Sequence, residues 1–344
     1  MEGRVRQGLP GLRTREKALI LLTCLILATS AGTGEGAATG VSQNTTVTLV
    51  SERASVQAGR PFYVGLRMRM RKGWHTYWKN PGDAGLPLRI EWKLPGGFSA
   101  GGIEWPAPER IPTGSLMSYG YSDEVLIPIE IRPPDRIPAA SVRIRGSFEW
   151  LECKEACLPG SAVLDLTLPV RSEPPAASPD APAFLETRSR MPQPPAGWSL
   201  SAEAGPRAVS LAFRAATRMS PRGAYLFVDQ PLLVEYASPQ GFERTGDGYR
   251  VTATPAPNAS GRPERLTGVL VVENRAGTRA RTAVKVDVAV SPGDPAPARE
   301  QSTRSSLPAV AYTAALGVVG LGLALVLRGA ARARRGRGDP PTRN

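Results

Sequence analysis

The chain has 344 residues, and its 34 Pro and 36 Gly are far too many for a helical protein. Of the formal net charge of +13, residues 1–30 carry +3 and residues 328–344 carry +5, which leaves only +5 for the long middle part. The charge therefore comes from the chain ends and does not indicate a nucleic-acid-binding surface.

The first segment, residues 1–31, has the features of a secretory signal peptide. Three basic residues precede an apolar run of eleven residues, Ala18–Ala28, which is too short to span a bilayer. Small residues follow, so we expect cleavage near position 31; the alternative is an uncleaved anchor. Cys24 lies in this apolar run, in a setting that does not favour lipidation. The exported protein would then carry two cysteines.

Short β-strands are predicted along the exported part. Thr45–Val50 and Ser141–Phe148 are examples in which polar and apolar residues alternate, and clusters of Gly, Pro, Asn and Asp separate such runs. This spacing is typical of a β-sandwich. We therefore predict an all-β protein with two sandwich domains, residues 42–170 and residues 198–290, joined by a Pro-rich linker, residues 171–197.

The segments outside the sandwiches differ in composition. In the linker, Phe184 and Leu185 could begin a short helix. Residues 291–306 are rich in Pro, Arg and Ser and are predicted to be a juxtamembrane linker. Residues 307–327 are 21 positions without a charge, which predicts one C-terminal transmembrane helix. The Arg-rich tail, residues 328–344, is then cytoplasmic by the positive-inside rule.

This arrangement predicts a single-pass protein of the inner (cytoplasmic) membrane. Its ectodomain would lie in the periplasm and its C-terminus in the cytoplasm. The periplasm permits disulfide bonds, so the two exported cysteines can pair there.

Cys153 and Cys157 are these two cysteines. In an extended chain, residues four positions apart lie about 13 Å from each other, whereas a disulfide needs Cα atoms within about 7 Å. The backbone must therefore turn between them, and so small a closed loop adds little stability compared with a long one. This favours thiol–disulfide exchange as their role. An inert bond that staples a turn and ligation of a metal are the alternatives.

Three segments of the chain resemble one protein family. They are Gly73–Pro87, Ser118–Pro128 and Trp150–Gly160. In order and spacing they resemble the N-terminal periplasmic domain of the DsbD family of thiol:disulfide interchange proteins, especially its ScsB-like branch. The second unit resembles the additional sandwich of that branch more weakly, through Tyr225–Gln240. The resemblance covers about residues 45–290 and implies immunoglobulin-like β-sandwich domains.

The resemblance also implies roles for individual residues. Cys153 and Cys157 would be the catalytic redox pair, in which Cys157 forms the mixed disulfide with partners and Cys153 resolves it. The loop around Ser118 to Glu124 would be a cap that shields the disulfide and opens for partners. Its candidate residues are Tyr119, Tyr121, Asp123 and Glu124. The alternative is that the tyrosines pack across strands and that the two acidic residues form a solvated turn.

Partners follow from the same resemblance. The sequence contains neither a multi-helix electron-transporting membrane domain nor a thioredoxin domain with a C-x-x-C. We therefore expect a separate electron donor, either a thioredoxin-like protein or a multi-helix thiol-transporting protein, with oxidised periplasmic proteins as acceptors. No cofactor is expected, because the two sulfurs themselves hold the two electrons.

His75, Tyr77 and Lys154 are further candidates near the cysteine pair. Lys154 would favour an ionised thiol, whereas Glu152 and Glu155 would oppose it. His75, the only histidine of the chain, could join the two cysteines in binding a soft metal such as Cu(I). Packing as a structural group is the more ordinary alternative for His75, and no metal site is predicted.

The principal alternative function is a non-catalytic binding or scaffold protein on a DsbD-like fold, for copper handling or for assembly of exported proteins. Thioether sulfurs also suit Cu(I), but Met68 and Met70 alternate with arginines, as strand residues that face a core do. Neither a Gly-X-Ser-X-Gly motif nor a phosphate-binding Gly-rich motif occurs in the sequence. Whether the protein is an enzyme, a protein-disulfide reductase, stays open at this point.

Overall fold

The structure is a computed structural model that describes residues 39–215, 219–259, 261–274 and 281–293. The predicted signal peptide, transmembrane helix and basic tail lie outside the described residues. Within the described ranges, no helix has the length and apolar character needed to cross a membrane. The described chain is almost entirely β-strand, which confirms the predicted all-β class.

Eleven strands build the first sandwich. They are β1 (Thr39–Val41), β2 (Thr45–Ser51), β3 (Phe62–Met70), β4 (His75–Gly82), β5 (Arg89–Lys93), β6 (Ser99–Ile103), β7 (Glu109–Thr113), β8 (Leu116–Ser122), β9 (Glu124–Arg132), β10 (Ser141–Cys153) and β11 (Cys157–Pro169). One sheet has the order β1-β2-β3-β9-β6, and the other has the order β11-β10-β4-β8-β7, with β5 paired to β10.

The core of this sandwich follows from strand alternation. Along β10, Ile144, Phe148 and Trp150 are buried while their neighbours Arg145 and Glu149 are exposed, because successive side chains of a strand point to opposite faces. The facing sheet supplies a matching apolar surface, which includes Val64, Leu66, Met68, Ile127 and Ile129, all fully buried. The inner face of β10 thus packs on the core, and its outer face is turned away from the core.

The second sandwich contains the remaining strands. They are β12 (Trp198–Ala204), β13 (Val209–Ala215), β14 (Pro221–Val228), β15 (Gly241–Thr245), β16 (Gly248–Ala253), β17 (Arg265–Asn274) and β18 (Arg281–Pro292). They form one seven-stranded sheet of order β14-β17-β18-β12-β13-β16-β15. The pair β12–β18 is parallel, and the sheet folds back so that β14 contacts β15 and β16.

A short helix lies in the segment between the sandwiches. Helix α1 (Ala181–Arg190) follows Asp180 and has a proline in its first turn, where the missing N–H of proline costs no hydrogen bond. Phe184 on this helix is 1% exposed and packs on Val50 and Leu126 of the first sandwich. The Pro-rich segment is therefore attached to the first sandwich along this helix.

An aromatic cluster joins the two sandwiches. The ring of Tyr119 lies with its centroid 4.8 Å from that of Phe227 and 5.1 Å from that of Tyr236. Its hydroxyl is 2.8 Å from the hydroxyl of Tyr225. Trp78 packs on both Tyr119 and Phe227. Because Trp78, Tyr119, Phe227 and Tyr236 are at most 2% exposed, the contact between the sandwiches is a continuous buried core.

Candidate functional site

Cys153 and Cys157 lie at the tip of the long β10–β11 hairpin. Thirteen residue pairs run in register from Ser141 opposite Pro169 to Cys153 opposite Cys157. Three residues form the turn, and the two Cα atoms are 4.2 Å apart, joined by a disulfide. The structure confirms that the backbone turns between them.

The two sulfurs differ in their access to solvent. Cys153 is 3% exposed, whereas Cys157 is exposed to solvent. Both side chains lie on the outer face of the hairpin, because Phe148 and Trp150 on alternate positions point into the core. A thiol partner approaching from solvent can therefore reach the sulfur of Cys157 more easily than that of Cys153.

Tyr77 contacts the exposed sulfur. The phenolic oxygen of Tyr77 lies 3.3 Å from Sγ of Cys157, and because a disulfide sulfur carries no hydrogen, the phenol is the donor. Burial raises the pKa of Tyr77, although a hydrogen bond from Ser118 opposes this. Tyr77 therefore stays protonated at neutral pH and donates a hydrogen bond to the sulfur.

His75 lies next to the buried sulfur. Strand β4 places His75 directly opposite Cys153 on β10, so the two side chains share the outer face. His75 is 3% exposed, and its ring packs edge-on against Tyr77 with centroids 5.2 Å apart. Within the described part of the chain, its Nε2 atom has no hydrogen-bond partner. Burial lowers the pKa of His75, so the imidazole is neutral at pH 7.

A tight turn after β4 supports Tyr77. Gly85 has a φ of +115°, and a Cβ atom there would lie 2.3 Å from the Tyr77 ring. Only glycine fits so close to this ring in that backbone conformation. Asp83 extends the support, since its carboxylate accepts a hydrogen bond of 2.7 Å from the backbone of Met117.

A groove with an apolar part lies beside the disulfide. Leu151 and Pro159 stand opposite each other two positions before Cys153 and after Cys157, on the same outer face. Together with Leu86 and Pro87 they form the apolar part of a groove of about 430 Å³, whose lining also includes Arg89, Glu149 and Ser161. The side chain of Leu86 is 55% exposed.

The two tyrosines predicted to belong to a cap face the inside of the sandwich. Ser122, not Tyr121, is opposite His75 in the β4–β8 pairing, so Tyr119 and Tyr121 point to the inner face, away from the disulfide. Tyr119 is part of the aromatic cluster. The hydroxyl of Tyr121 donates to the carbonyl of Pro106. In both cases the tyrosines pack as the alternative interpretation expected, and shielding of the disulfide by this segment stays a prediction.

Asp123 is the one residue between β8 and β9, and Glu124 is the first residue of β9. Asp123 has a φ of +59°, and its carbonyl accepts a hydrogen bond from the backbone of Met70. Glu124 forms ion pairs with Arg67 at 3.3 Å and Arg69 at 2.8 Å. The structure thus ties these two acidic residues to β3.

Glu152 and Lys154 also take positions that the sequence did not indicate. Glu152 is 1% exposed and points inward, where it accepts hydrogen bonds from Ser42 Oγ at 2.5 Å and from the backbone and side chain of Asn44 at 3.1 Å each. It holds the hairpin to the β1–β2 turn. Lys154 is exposed, and its aliphatic chain lies beside Gly73.

A metal site is not found in the described ranges, where no three His, Cys, Asp or Glu residues are arranged to hold a metal ion. Met68 and Met70, at 0% and 7% exposure, belong to the core as their alternation with arginines predicted. The groups of the described site that can take part in chemistry include the two sulfurs, the phenol of Tyr77 and the imidazole of His75.

Residues 46–169 match the family model described as "Thiol:disulfide interchange protein DsbD, N-terminal". This segment is a DsbD N-terminal-like domain, as the three motif segments predicted. No curated protein matches the chain in sequence.

Solved structures give a comparison of the fold. The N-terminal periplasmic domain of ScsB from Proteus mirabilis matches with a TM-score of 0.56 and 19% identity, over 73% of this chain and 95% of that chain. This match shows a shared fold that extends beyond residues 46–169. A protein of unknown function from Porphyromonas gingivalis W83 matches with a TM-score of 0.22 and 11% identity, over 70% and 96% of the two chains. A conserved domain protein from Bacillus anthracis matches with a TM-score of 0.23 and 11% identity, over 74% of this chain and 89% of that chain. These two TM-scores are too low to support a conclusion.

Proposed function

We propose that this chain, through its DsbD N-terminal-like domain, is a thiol–disulfide exchange protein that passes reducing equivalents to exported proteins. The observation that carries the proposal is the asymmetry of the disulfide at the hairpin tip. Cys157 is exposed and hydrogen-bonded by Tyr77, whereas Cys153 is buried beside it. One accessible sulfur and one protected neighbour are what a two-step exchange requires.

The proposed cycle begins with reduction of the Cys153–Cys157 disulfide by a donor dithiol, which becomes a disulfide itself. The thiolate of Cys157 then attacks one sulfur of an oxidised client, and the client's other sulfur leaves as a thiolate. The thiolate of Cys153 next attacks Sγ of Cys157, which restores the internal disulfide and releases the second client thiolate. Two electrons pass to the client, and two protons lost by the cysteines end on its thiols.

The surroundings of the pair suit this chemistry. Tyr77 donates a hydrogen bond to Sγ of Cys157, and such a bond would stabilise a thiolate at that atom more than a neutral sulfur. The neutral imidazole of His75 lies beside Cys153 and could accept its proton. The groove that Leu86, Pro87, Leu151 and Pro159 line together with Arg89 and Glu149 would bury part of a partner's surface near the reacting sulfur.

We further propose that the exchange takes place in the periplasm, with the protein held at the inner membrane by residues 307–327. The signal-like N-terminus and the apolar C-terminal run support this location. The donor would be a thioredoxin-like or a multi-helix thiol-transporting protein, and the acceptors would be oxidised periplasmic proteins.

A redox titration tests the proposal. The protein is equilibrated in glutathione buffers with a thioredoxin-like protein, and free thiols are alkylated and counted by mass spectrometry. We expect equilibration within minutes and a potential above about −300 mV, the region below which structural disulfides lie. A disulfide that stays intact under these conditions and does not exchange with the thioredoxin-like protein would overturn the proposal. That result would favour the alternative function as a scaffold protein. A Cys157→Ser variant provides the background rate.

A further inference from the structure

Strand β4 connects the redox site to the second sandwich. Its outer face presents His75 and Tyr77 to the two cysteines. Its inner face presents Trp78 to the aromatic cluster with Phe227. Farther along the strand, Lys79 forms an ion pair of 2.8 Å with Asp229 of the second sandwich. A single strand is therefore in contact with both parts of the molecule.

Asn80 makes a buried polar connection between the two sandwiches. It is 1% exposed, and its Nδ2 atom donates to the carbonyl of Val228 at 2.7 Å and to the hydroxyl of Tyr236 at 3.2 Å. The same hydroxyl accepts a hydrogen bond of 2.8 Å from the backbone of Leu232. Because a buried amide must have its polar atoms satisfied, these bonds fix the orientation of the Asn80 side chain.

The other end of the Asn80 amide acts on the turn that supports Tyr77. Its Oδ1 atom accepts a hydrogen bond of 3.2 Å from the backbone of Gly82, the last residue of β4. Three residues later, Gly85 packs directly on the ring of Tyr77. A continuous series of contacts thus runs from Tyr236 through Asn80 and the turn to Tyr77 and the sulfur of Cys157.

We infer that the second sandwich is a positioning part of the redox site, and that Asn80 and Tyr236 are the positioning residues through which it acts. Their task is to hold the turn of residues 82–85 so that the hydroxyl of Tyr77 stays on Sγ of Cys157. This inference rests on the proposed exchange function. It gives the second sandwich, which carries no cysteine, a place in the chemistry of the first.

The test measures the thiolate fraction of Cys157 in the reduced full-length protein. Iodoacetamide alkylates thiolates, so its rate at Cys157 across pH 5 to 10, followed by peptide mass spectrometry, gives the pKa of that thiol. Tyr77→Phe is expected to raise this pKa and to slow alkylation at pH 7 by about three- to fourfold for each pKa unit, because a smaller thiolate fraction is partly offset by the greater nucleophilicity of a more basic thiolate. Tyr236→Phe, which removes one hydroxyl and keeps the ring, should change the rate in the same direction by about threefold or more.

The double variant Tyr77→Phe/Tyr236→Phe separates positioning from a general loss of stability. If Tyr236 acts only through the hydroxyl of Tyr77, the double variant should match Tyr77→Phe, because the second substitution has nothing left to change. Tyr249→Phe is the matched control, since its hydroxyl donates to the carbonyl of Met219 within the second sandwich. It should leave the pKa of Cys157 unchanged.

Amide hydrogen exchange supplies a second measurement that does not depend on sulfur chemistry. The amide of Gly82, which donates to Asn80, should exchange faster in Tyr236→Phe than in the parent protein, whereas Tyr249→Phe should not alter it. An unchanged Cys157 pKa in Tyr236→Phe, or additive effects in the double variant, would overturn the inference while the exchange function stands. A parent protein that does not exchange at all would instead overturn the proposed function.

Discussion

The hydroxyl of Tyr77 donates to Sγ of Cys157 across 3.3 Å, although the two residues are 80 positions apart in the chain. In the oxidised protein this is a weak contact to a neutral sulfur. After reduction, the same donor would face a thiolate, and hydrogen bonds to charged groups are roughly twice as strong as those between neutral groups. The contact would therefore favour the reactive form of the exposed cysteine.

The first prediction concerns this hydroxyl. Tyr77→Phe should slow the reaction of the reduced protein with an oxidised partner at pH 7 by about tenfold, since one charge-assisted hydrogen bond contributes about 1.5–3 kcal/mol. Stopped-flow measurement of the exchange rate checks it. Tyr121→Phe, which removes a buried hydroxyl on the inner face, is the control and should react at the parent rate.

The second prediction separates the roles of the two cysteines. Cys153→Ala should trap client proteins as mixed disulfides through Cys157, because the sulfur that would resolve the intermediate is missing. Cys157→Ala should trap far less, since Cys153 is buried. Non-reducing gels followed by mass spectrometry identify the trapped species. Stable complexes formed only by Cys157→Ala would reverse the assignment.

The third prediction is a dependence of stability on pH. Burial lowers the pKa of His75 below its ordinary 6.5, so between the lowered value and 6.5 the unfolded chain binds a proton that the folded chain does not. The free energy of unfolding should therefore decrease as the pH falls below 6.5, by at most about 1.4 kcal/mol per pH unit. The decrease should level off below the lowered pKa.

Urea unfolding between pH 7.5 and pH 5 measures this effect. His75 is the only histidine in the chain. His75→Gln should therefore remove the pH dependence of the unfolding free energy near pH 6 and leave only the dependence that comes from the carboxylates. Equal slopes for the parent and the variant would show that His75 titrates alike in the folded and unfolded states.

The fourth prediction concerns packing near the hairpin tip. A Cβ atom at Gly160 would lie 2.3 Å from the indole of Trp150, so Gly160→Ala should destabilise the fold by about 1–3 kcal/mol through overpacking. Gly102→Ala is the matched control within the same sandwich, because nothing lies within 4 Å of its added Cβ. Its change should stay within about 0.5 kcal/mol, and thermal or urea unfolding compares the two.

The fifth prediction concerns the disulfide as a crosslink. In the chain-entropy model, a crosslink that closes a loop of so few residues lowers the entropy of the unfolded chain and thereby stabilises the fold by only about 2 kcal/mol. The reduced protein should therefore stay folded, with an unfolding free energy lower by no more than about that amount. Urea unfolding with and without a reductant checks this, and loss of the fold on reduction would contradict it.

Part of this architecture could be predicted from the sequence. Polar and apolar residues alternate along β10, so the strand and its inward residues were evident, and the distance limit of a disulfide required a turn between the cysteines. Strand β4 was not evident. Its residues His75, Thr76, Tyr77 and Trp78 are all buried, because the hairpin tip and turn cover one face and the core with the second sandwich covers the other. A strand buried on both faces has no alternation to detect.

The contacts of the site could not be predicted from local sequence patterns either. The meeting of Tyr77 with Cys157 depends on the strand order of a whole sheet. The inward orientation of Glu152 depends on Ser42 and Asn44, more than 100 positions away in the chain. Asn80 is followed by Pro and Gly, and these three residue types together are typical of a turn. Nothing in the local sequence therefore indicates that Asn80 binds Tyr236. Such pairings arise from tertiary structure and leave no periodic trace in the sequence.

The thirteen aligned pairs between β10 and β11 also matter when the sulfur–sulfur bond is open. The backbone ladder keeps both thiols side by side without help from the covalent link, so re-closure is an intramolecular event at high effective concentration. A client bound to Cys157 through a mixed disulfide would then be released quickly. The hairpin would not need to refold between turnovers.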